Sequence, residues 1–455
     1  MYSSKLPDSH PIKYPNAPSV KMILSYFVLF AVVYTTTFCI YNIFFHPLRK
    51  IPGPPLARLS RLWSRLGNLR GQKSFLIHAA HQHYGPVVRV GPNELSFASP
   101  SATKEIYNTS SDAFVKEASF YHAKRVYHEE HLFSFRDPDA HKQRKKLLQR
   151  GFSQAALLDF EPHISSKIGC MMDQWARRSA GGEPLNAVPW AHWIGFDIVY
   201  HLMFDEDPGC VANGEEHWVV KCLRSWRPTF AFKEFVPQLE RWGPYVPGRV
   251  GGYFRDVRAW KEYCVDLVRR WRAQGTRTPF LQNALHGKDA FLGRPLTDSE
   301  LAEECMGGMF GGSGTTANTF VYVLWAVLRR PEVAGKLRRE LKMAFGEDRR
   351  AVPAGVDCAK LPYLQAVINE TLRCYPTIIA TKPRTALRDT VVAGVAVPKG
   401  TTVGSQNYTV LRDPTAFPNP ENFLPERWLE KEGDELRKEA FTPFSVGPRS
   451  CIGIK

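Results

Sequence analysis

The run Phe444-Ser-Val-Gly447-Pro-Arg449-Ser-Cys451-Ile-Gly453 sets one cysteine between two glycines, with an arginine two residues before it and an aromatic seven before it. A thiolate that ligates one face of a flat metal macrocycle needs backbone N–H groups turned toward its sulfur and a loop able to come close. Gly447 and Gly453 suit the tight turn and the close approach. Arg449 offers a cation for a carboxylate of the same ligand. Phe444 can keep water from the sulfur, which tunes a bound metal. The plainer reading is a buried or reactive loop cysteine. Five specified residues at these offsets arise by chance in about one chain in ten thousand at average composition, so the ligand reading prevails.

A second stretch places Gly307, Gly308, Gly311, Gly312 and Gly314 just before Thr315 and Thr316. Thr297 and Glu300 form a capping-box pattern, and Pro331 ends the helix that they begin. Glycine costs about 1 kcal/mol relative to alanine inside a helix. Such a cluster suits either a flat group lying on the backbone or close helix packing, and taken alone leaves both open. Glu370 and Arg373 share a helix face three residues apart and can pair, with Arg427 further along; an E-x-x-R spacing is weak evidence by itself.

These residues need a scaffold. Helical patterns run from Ser153 to Ala180, Thr297 to Arg330, Pro331 to Phe345 and Pro362 to Cys374, with strand-like pieces at 87–90 and 391–402. Met22 to Phe45 is an uninterrupted apolar run; 24 residues reach about 36 Å as a helix, enough to cross a bilayer. More Lys and Arg follow the run than precede it, which puts the C-terminal side in the cytoplasm. Ile51-Pro-Gly-Pro-Pro55 reads as a stiff extended hinge. The expected organisation is a lumenal tail over 1–21, a transmembrane helix over 22–45, a proline-rich hinge over 46–60 and one catalytic domain over 61–455. A net charge of +16 suits an acidic protein partner or an anionic membrane surface; no nucleic-acid motif accompanies it. Nine scattered cysteines without a C-x-x-C pair argue against a disulfide framework, structural zinc and an iron–sulfur cluster.

The decapeptide ending at Gly453 resembles the haem-binding loop of the cytochrome P-450 superfamily, F-x-x-G-x-R-x-C-x-G. The apolar run followed by His46-Pro47-Leu48 and Pro52-Gly53-Pro54 is similar to membrane-bound fungal members in secondary metabolism. The resemblance implies a mainly α fold with small β-sheets (α+β), with haem held by Cys451 as axial thiolate. Gly311-Gly312-Ser313-Gly314-Thr315-Thr316 looks like the oxygen-activation motif, with Thr315 as its catalytic threonine and glycine at position 314 where the family carries an acid. Glu370, Arg373 and Arg427 match the family's buried charge network. Arg384 matches an arginine used against the haem carboxylates. His141 and Lys145 match a W/H-x-x-x-R pair with lysine for arginine, so that either Arg144 shifts into the role or Lys145 acts as a point charge.

Further implications are an NADPH-dependent cytochrome P-450 reductase as electron donor, the endoplasmic reticulum membrane as location, and a lipophilic substrate such as a terpenoid or polyketide intermediate. The chain ends four residues after Cys451, where the family continues with a helix, so the sequence carries the expectation of a truncated or defective copy. The rival readings are a non-catalytic membrane protein and a redox-neutral isomerase or dehydratase.

Overall fold

The computed structural model describes residues 20–107, 113–182, 184–276, 278–347 and 351–454; of the expected tail over 1–21, positions 1–19 lie outside them. Helix α1, Val20–Ile40, has no basic residue in its last turn and no acidic one in its first. The apolar run Leu24–Phe45 has a mean hydropathy of 1.8 and lies against almost nothing; it is long and apolar enough to cross a membrane. A π-turn, Tyr41–Phe45, follows. It turns Asn42 inward, where Nδ2 donates to Phe38 O and the buried Arg89 guanidinium donates to Asn42 O and Oδ1, both at 3.0 Å.

The prolines that come next do not run extended throughout. Pro47–Lys50 is a turn of 3-10 helix and Pro55–Leu59 a short α-helix, with extended backbone at Ile51 and Pro54 between them. Proline at the first helical position brings a φ that already suits the helix and lacks an N–H that would be unpaired there, so these prolines start turns as well as stiffen the chain. Arg89 N donates to Pro52 O at 2.8 Å, which docks this connector on the body.

In the body, strands β1 (Val87–Gly91), β2 (Glu94–Phe97) and β3 (Phe114–Lys116) precede a short helix α2 (Ala118–Ala123) and α3 (Pro138–Leu148). Long helices follow, among them α4 (Ala187–Phe204), α5 (Trp218–Phe235), α6 (Gly248–Gln274) and α7 (Asp298–Leu328). Then come α8 (Pro362–Cys374), β4 (Arg384–Ala386) and β5 (Thr402–Ser405). The strands form one sheet in the order β1-β2-β5-β4-β3. Only β2 and β5 pair in parallel. The register sets Lys116 of β3 opposite Arg384 of β4.

The helical core gathers Phe196, Met203, Trp226, Trp260, Met306 and Met309 around α7. That helix begins with the full capping box at Thr297 and Glu300. The expected helix Ser153–Ala180 forms over Gln154–Ser179 with Ser153 as its cap, and the helices at 331–345 and 362–374 stand as read. The strand-like run 391–402 is divided: Ala393 (φ 46°) and Gly394 (φ 76°) turn a hairpin between Thr390–Val392 and Val395–Val397, and Gly400 (φ 81°) separates that hairpin from β5. The fold is mainly α with small β-sheets, as the sequence led us to expect.

Candidate active site

Cys451 is the one exposed member of nine free cysteines. Its loop closes on itself: Cys451 N donates to Phe444 O and Ser450 N to Gly447 O, each at 3.0 Å. Gly447 sits at φ 75°, a left-handed backbone that glycine adopts without a Cβ clash. Helix α3 grips the loop from both ends. Arg449 donates to the carbonyls of Phe135 (2.8 Å), Arg136 (3.0 Å) and Asp137 (3.2 Å), which lead into α3. From inside α3, Lys145 Nζ returns to Pro448 O at 3.1 Å and Ser450 O at 3.3 Å.

The neighbouring residues Arg144 and Lys145 part company. The Arg144 guanidinium is buried and engages Asp289 Oδ2 at 2.7 Å and Glu304 of α7. Arg144 is therefore committed to the core, and Lys145 is the cation that reaches the cysteine loop.

Around that loop positive charge predominates, with Asp137 near Arg449 and Glu130 and Glu304 near Lys116 as the acidic neighbours. Arg384 donates to Tyr121 OH at 2.8 Å and lies over the Tyr107 and Tyr121 rings. Lys116, its cross-strand partner, donates to Phe133 O at 2.6 Å. Lys382 has its carbonyl held by Tyr107 OH at 2.8 Å, while its amine meets no acceptor among the described residues. None of Lys116, Lys145, Lys382, Arg384 and Arg449 has a carboxylate ion-pair partner among the described residues. Burial, then Arg449 and Arg384, push the Lys116 amine well below its ordinary value. Burial and Arg384 bring Lys382 down to about 8 and Arg449 to about 10. The buried His141 ring falls to about 2, through burial first and then Arg449, Lys116, Lys145 and Arg384.

Like charges directly opposite on paired strands are destabilising, and buried charges are rarely left unpaired. Cations gathered without a carboxylate ion-pair partner suit an anion. The two carboxylates of a haem fit there, beside a cysteine held on a turn.

Helix α7 settles the question its glycines left open, because they serve both purposes on different faces. A Cβ at Gly308 would meet Met203 Sδ at 2.6 Å, and one at Gly312 would meet Val199 Cγ2 at 3.0 Å; these glycines let α4 pack close. A Cβ at Gly311 or Gly314 meets nothing within 4 Å, so that face of the helix is bare backbone, suited to a flat group. Thr315 lies beside it, its Oγ1 donating to Gly311 O at 2.5 Å. Thr377, just after α8, donates to Thr315 O at 3.3 Å, which ties the 377–384 segment to this face.

The Glu370 cluster is complete within the protein. Arg373 forks onto Glu370 with Nη2–Oε1 2.8 Å and Nε–Oε2 2.9 Å, and Arg427 Nε reaches Oε1 at 3.2 Å. Trp428 Nε1 and Leu424 N each donate to the same carboxylate at 2.9 Å. Arg373 also caps the carbonyls of Leu411, Pro420 and Asn422.

The sequence reading missed Lys116 and Lys382. Lys116 has no local cue, since its cationic neighbours are distant in the chain. Lys382 had one, standing two residues before Arg384 in the run Lys382-Pro383-Arg384.

Comparison with known proteins agrees with this geometry. The cytochrome P450 family model matches residues 52–455. The cytochrome P450 monooxygenase astD of Aspergillus oryzae is 31% identical over 444 residues, 96% of this chain and 84% of that protein. The averantin hydroxylase of Dothistroma septosporum is 29% identical, covering 92% of this chain and 79% of its own length. The benzoate 4-monooxygenase bphA of Aspergillus niger is 30% identical, covering 89% and 84%.

Proposed function

The chain belongs to the cytochrome P450 family of haem-thiolate monooxygenases, and from that premise we propose that Cys451 is its iron ligand and that it oxidises a lipophilic fungal secondary metabolite. The reaction class is the insertion of one oxygen atom: R–H, dioxygen, two electrons and two protons give R–OH and water. Haem, when bound, supplies the oxygen-activating iron, and a thiolate ligand favours O–O cleavage.

The protein's part is placement and proton handling. The Phe444–Gly453 turn presents the Cys451 sulfur. Arg384 and Arg449 receive the haem carboxylates, with Lys145 as a point charge and His141 as a neutral, buried neighbour. Thr315 Oγ1 donates to Gly311 O; rotated away from that carbonyl, the hydroxyl would give its proton toward the bare face of α7 and take one back from a water. Glycine at 314 supplies no carboxylate, and water in the space beside it takes the place of that acid. The observation that carries the reading is the group of cations around the exposed cysteine, none with a carboxylate ion-pair partner among the described residues.

Electrons come from an NADPH-dependent reductase, whose acidic docking face would suit a chain of net charge +16. The apolar run at 24–45 anchors the enzyme in the endoplasmic reticulum membrane with the body in the cytoplasm. A relative named for benzoate supports a substrate built on an aromatic ring. The test is the carbon monoxide difference spectrum of the reduced protein. We expect the haem-thiolate band in the wild type and its loss in Cys451→Ser; an unchanged band in the variant would refute the assignment.

A further inference from the structure

Of the five cations that surround the cysteine loop, four have their charge directed at protein oxygens. Lys116 holds Phe133 O, Lys145 holds Pro448 O and Ser450 O, Arg384 holds Tyr121 OH, and Arg449 holds three carbonyls ahead of α3. Lys382 alone has no acceptor for its amine among the described residues. A haem brings two carboxylates, which Arg384, Arg449, Lys145 and Lys116 already outnumber, so Lys382 is not needed to neutralise them.

The backbone that carries this lysine is fixed. Thr377 Oγ1 bonds Thr315 O at 3.3 Å, Asn407 Nδ2 holds Ile378 O at 2.8 Å, Thr381 Oγ1 donates to Gln406 Oε1 at 3.1 Å, and Tyr107 OH holds Lys382 O. The segment thus starts against the bare face of α7 and ends at the carboxylate-binding Arg384. Lys382 is half-buried, so its amine is largely desolvated yet still open to a ligand. Resting on the assignment of this site to haem and substrate, we propose that Lys382 receives an anionic oxygen of the substrate, a carboxylate or phenolate, and so selects acidic aromatic molecules over their neutral esters or ethers.

The physical reason is an asymmetry. A charge with no partner in a low-dielectric site costs free energy, and an anion that supplies the partner recovers it. A site built around such a group rejects analogues that leave it unpaired far more strongly than an apolar pocket rejects a change of shape. The lowered proton affinity of the amine, to about 8, agrees: a bound anion would restore it.

The test uses haem-loaded full-length protein and the pair 2-naphthoate and methyl 2-naphthoate, with affinities from equilibrium dialysis and, in parallel, the haem content and carbon monoxide band. The wild type should bind the acid at least about tenfold more tightly than the ester, the discrimination of one charged hydrogen bond. Lys382→Met should erase that preference with haem content unchanged, and Lys382→Arg should retain most of it. A wild type with an intact band and no preference for the acid overturns the inference while leaving the haem assignment standing. A Lys382→Met protein that loses haem but keeps the preference also overturns it, and assigns the amine to the cofactor instead.

Discussion

Two of the charge clusters in this molecule are built on opposite plans. Around Glu370 one carboxylate gathers two arginines, an indole and a backbone N–H, and the leftover arginine donors cap carbonyls. Around Cys451, Lys116, Lys145, Lys382, Arg384 and Arg449 bring positive charge without a carboxylate ion-pair partner among the described residues, and two of them face each other across a β-ladder. The first cluster is finished by the fold. The second is left with uncompensated positive charge by the fold, and on the proposed reading a bound anion completes it. A perturbed ionisable group alone does not separate a brace from a site; the sign balance of the group's surroundings does.

This contrast can be broken most forcefully at Glu370. Changing Glu370→Gln leaves Arg373 and Arg427 buried without a counter-charge, and the unfolding free energy should fall by about 3–5 kcal/mol, measured by denaturant titration with and without haem. A loss confined to the haem-loaded protein would undo the distinction. At the other cluster Arg449→Ala should act in the opposite sense. Haem affinity should drop by about 1.5–3 kcal/mol, the range for hydrogen bonds to charged groups, while in the haem-free chain the loss of the three carbonyl bonds is offset by the removal of a repulsive charge and stability changes less. Haem titration and thermal unfolding of the apoprotein check the two halves.

A third effect is one of pH, and it is small only near neutrality. The His141 ring takes up a proton near 6.5 when unfolded but only near 2 when folded, so below pH 6.5 the unfolded chain binds the extra proton. Stability therefore falls as pH drops from 6.5 toward 2, approaching about 1.4 kcal/mol per pH unit for this one group, and is unaffected by it above pH 7. Haem carboxylates should flatten the slope, and His141→Phe should remove this residue's share. Unfolding midpoints across pH 7 to 5 would reveal either.

The parts legible in the sequence were those whose partners lie close along the chain. The turn at Cys451, the capping box at Thr297 and the Glu370–Arg373 pair are each set within a few residues. The choice between Arg144 and Lys145 could not be read, because Asp289 and Glu304, which claim Arg144, lie about 150 residues away. Lys116 was missed for the same reason, since its place opposite Arg384 is created by strand pairing. The mid-helix glycines were readable as a cluster, but their division between α4 and the bare face depends on where α4 docks. The connector over 46–60 was read from proline as a stiffener and proved also to begin helical turns.

The buried Arg89 guanidinium clasps both oxygens of Asn42, and its own backbone takes hold of Pro52. An apolar rod joined to its load by such a clasp behaves as a mast stepped into a hull rather than a tether on a buoy. In a bilayer, any lean of the rod would be handed on to the globular part. Lipid thickness would then set the heading of the oxidising site as well as the depth at which the chain is moored.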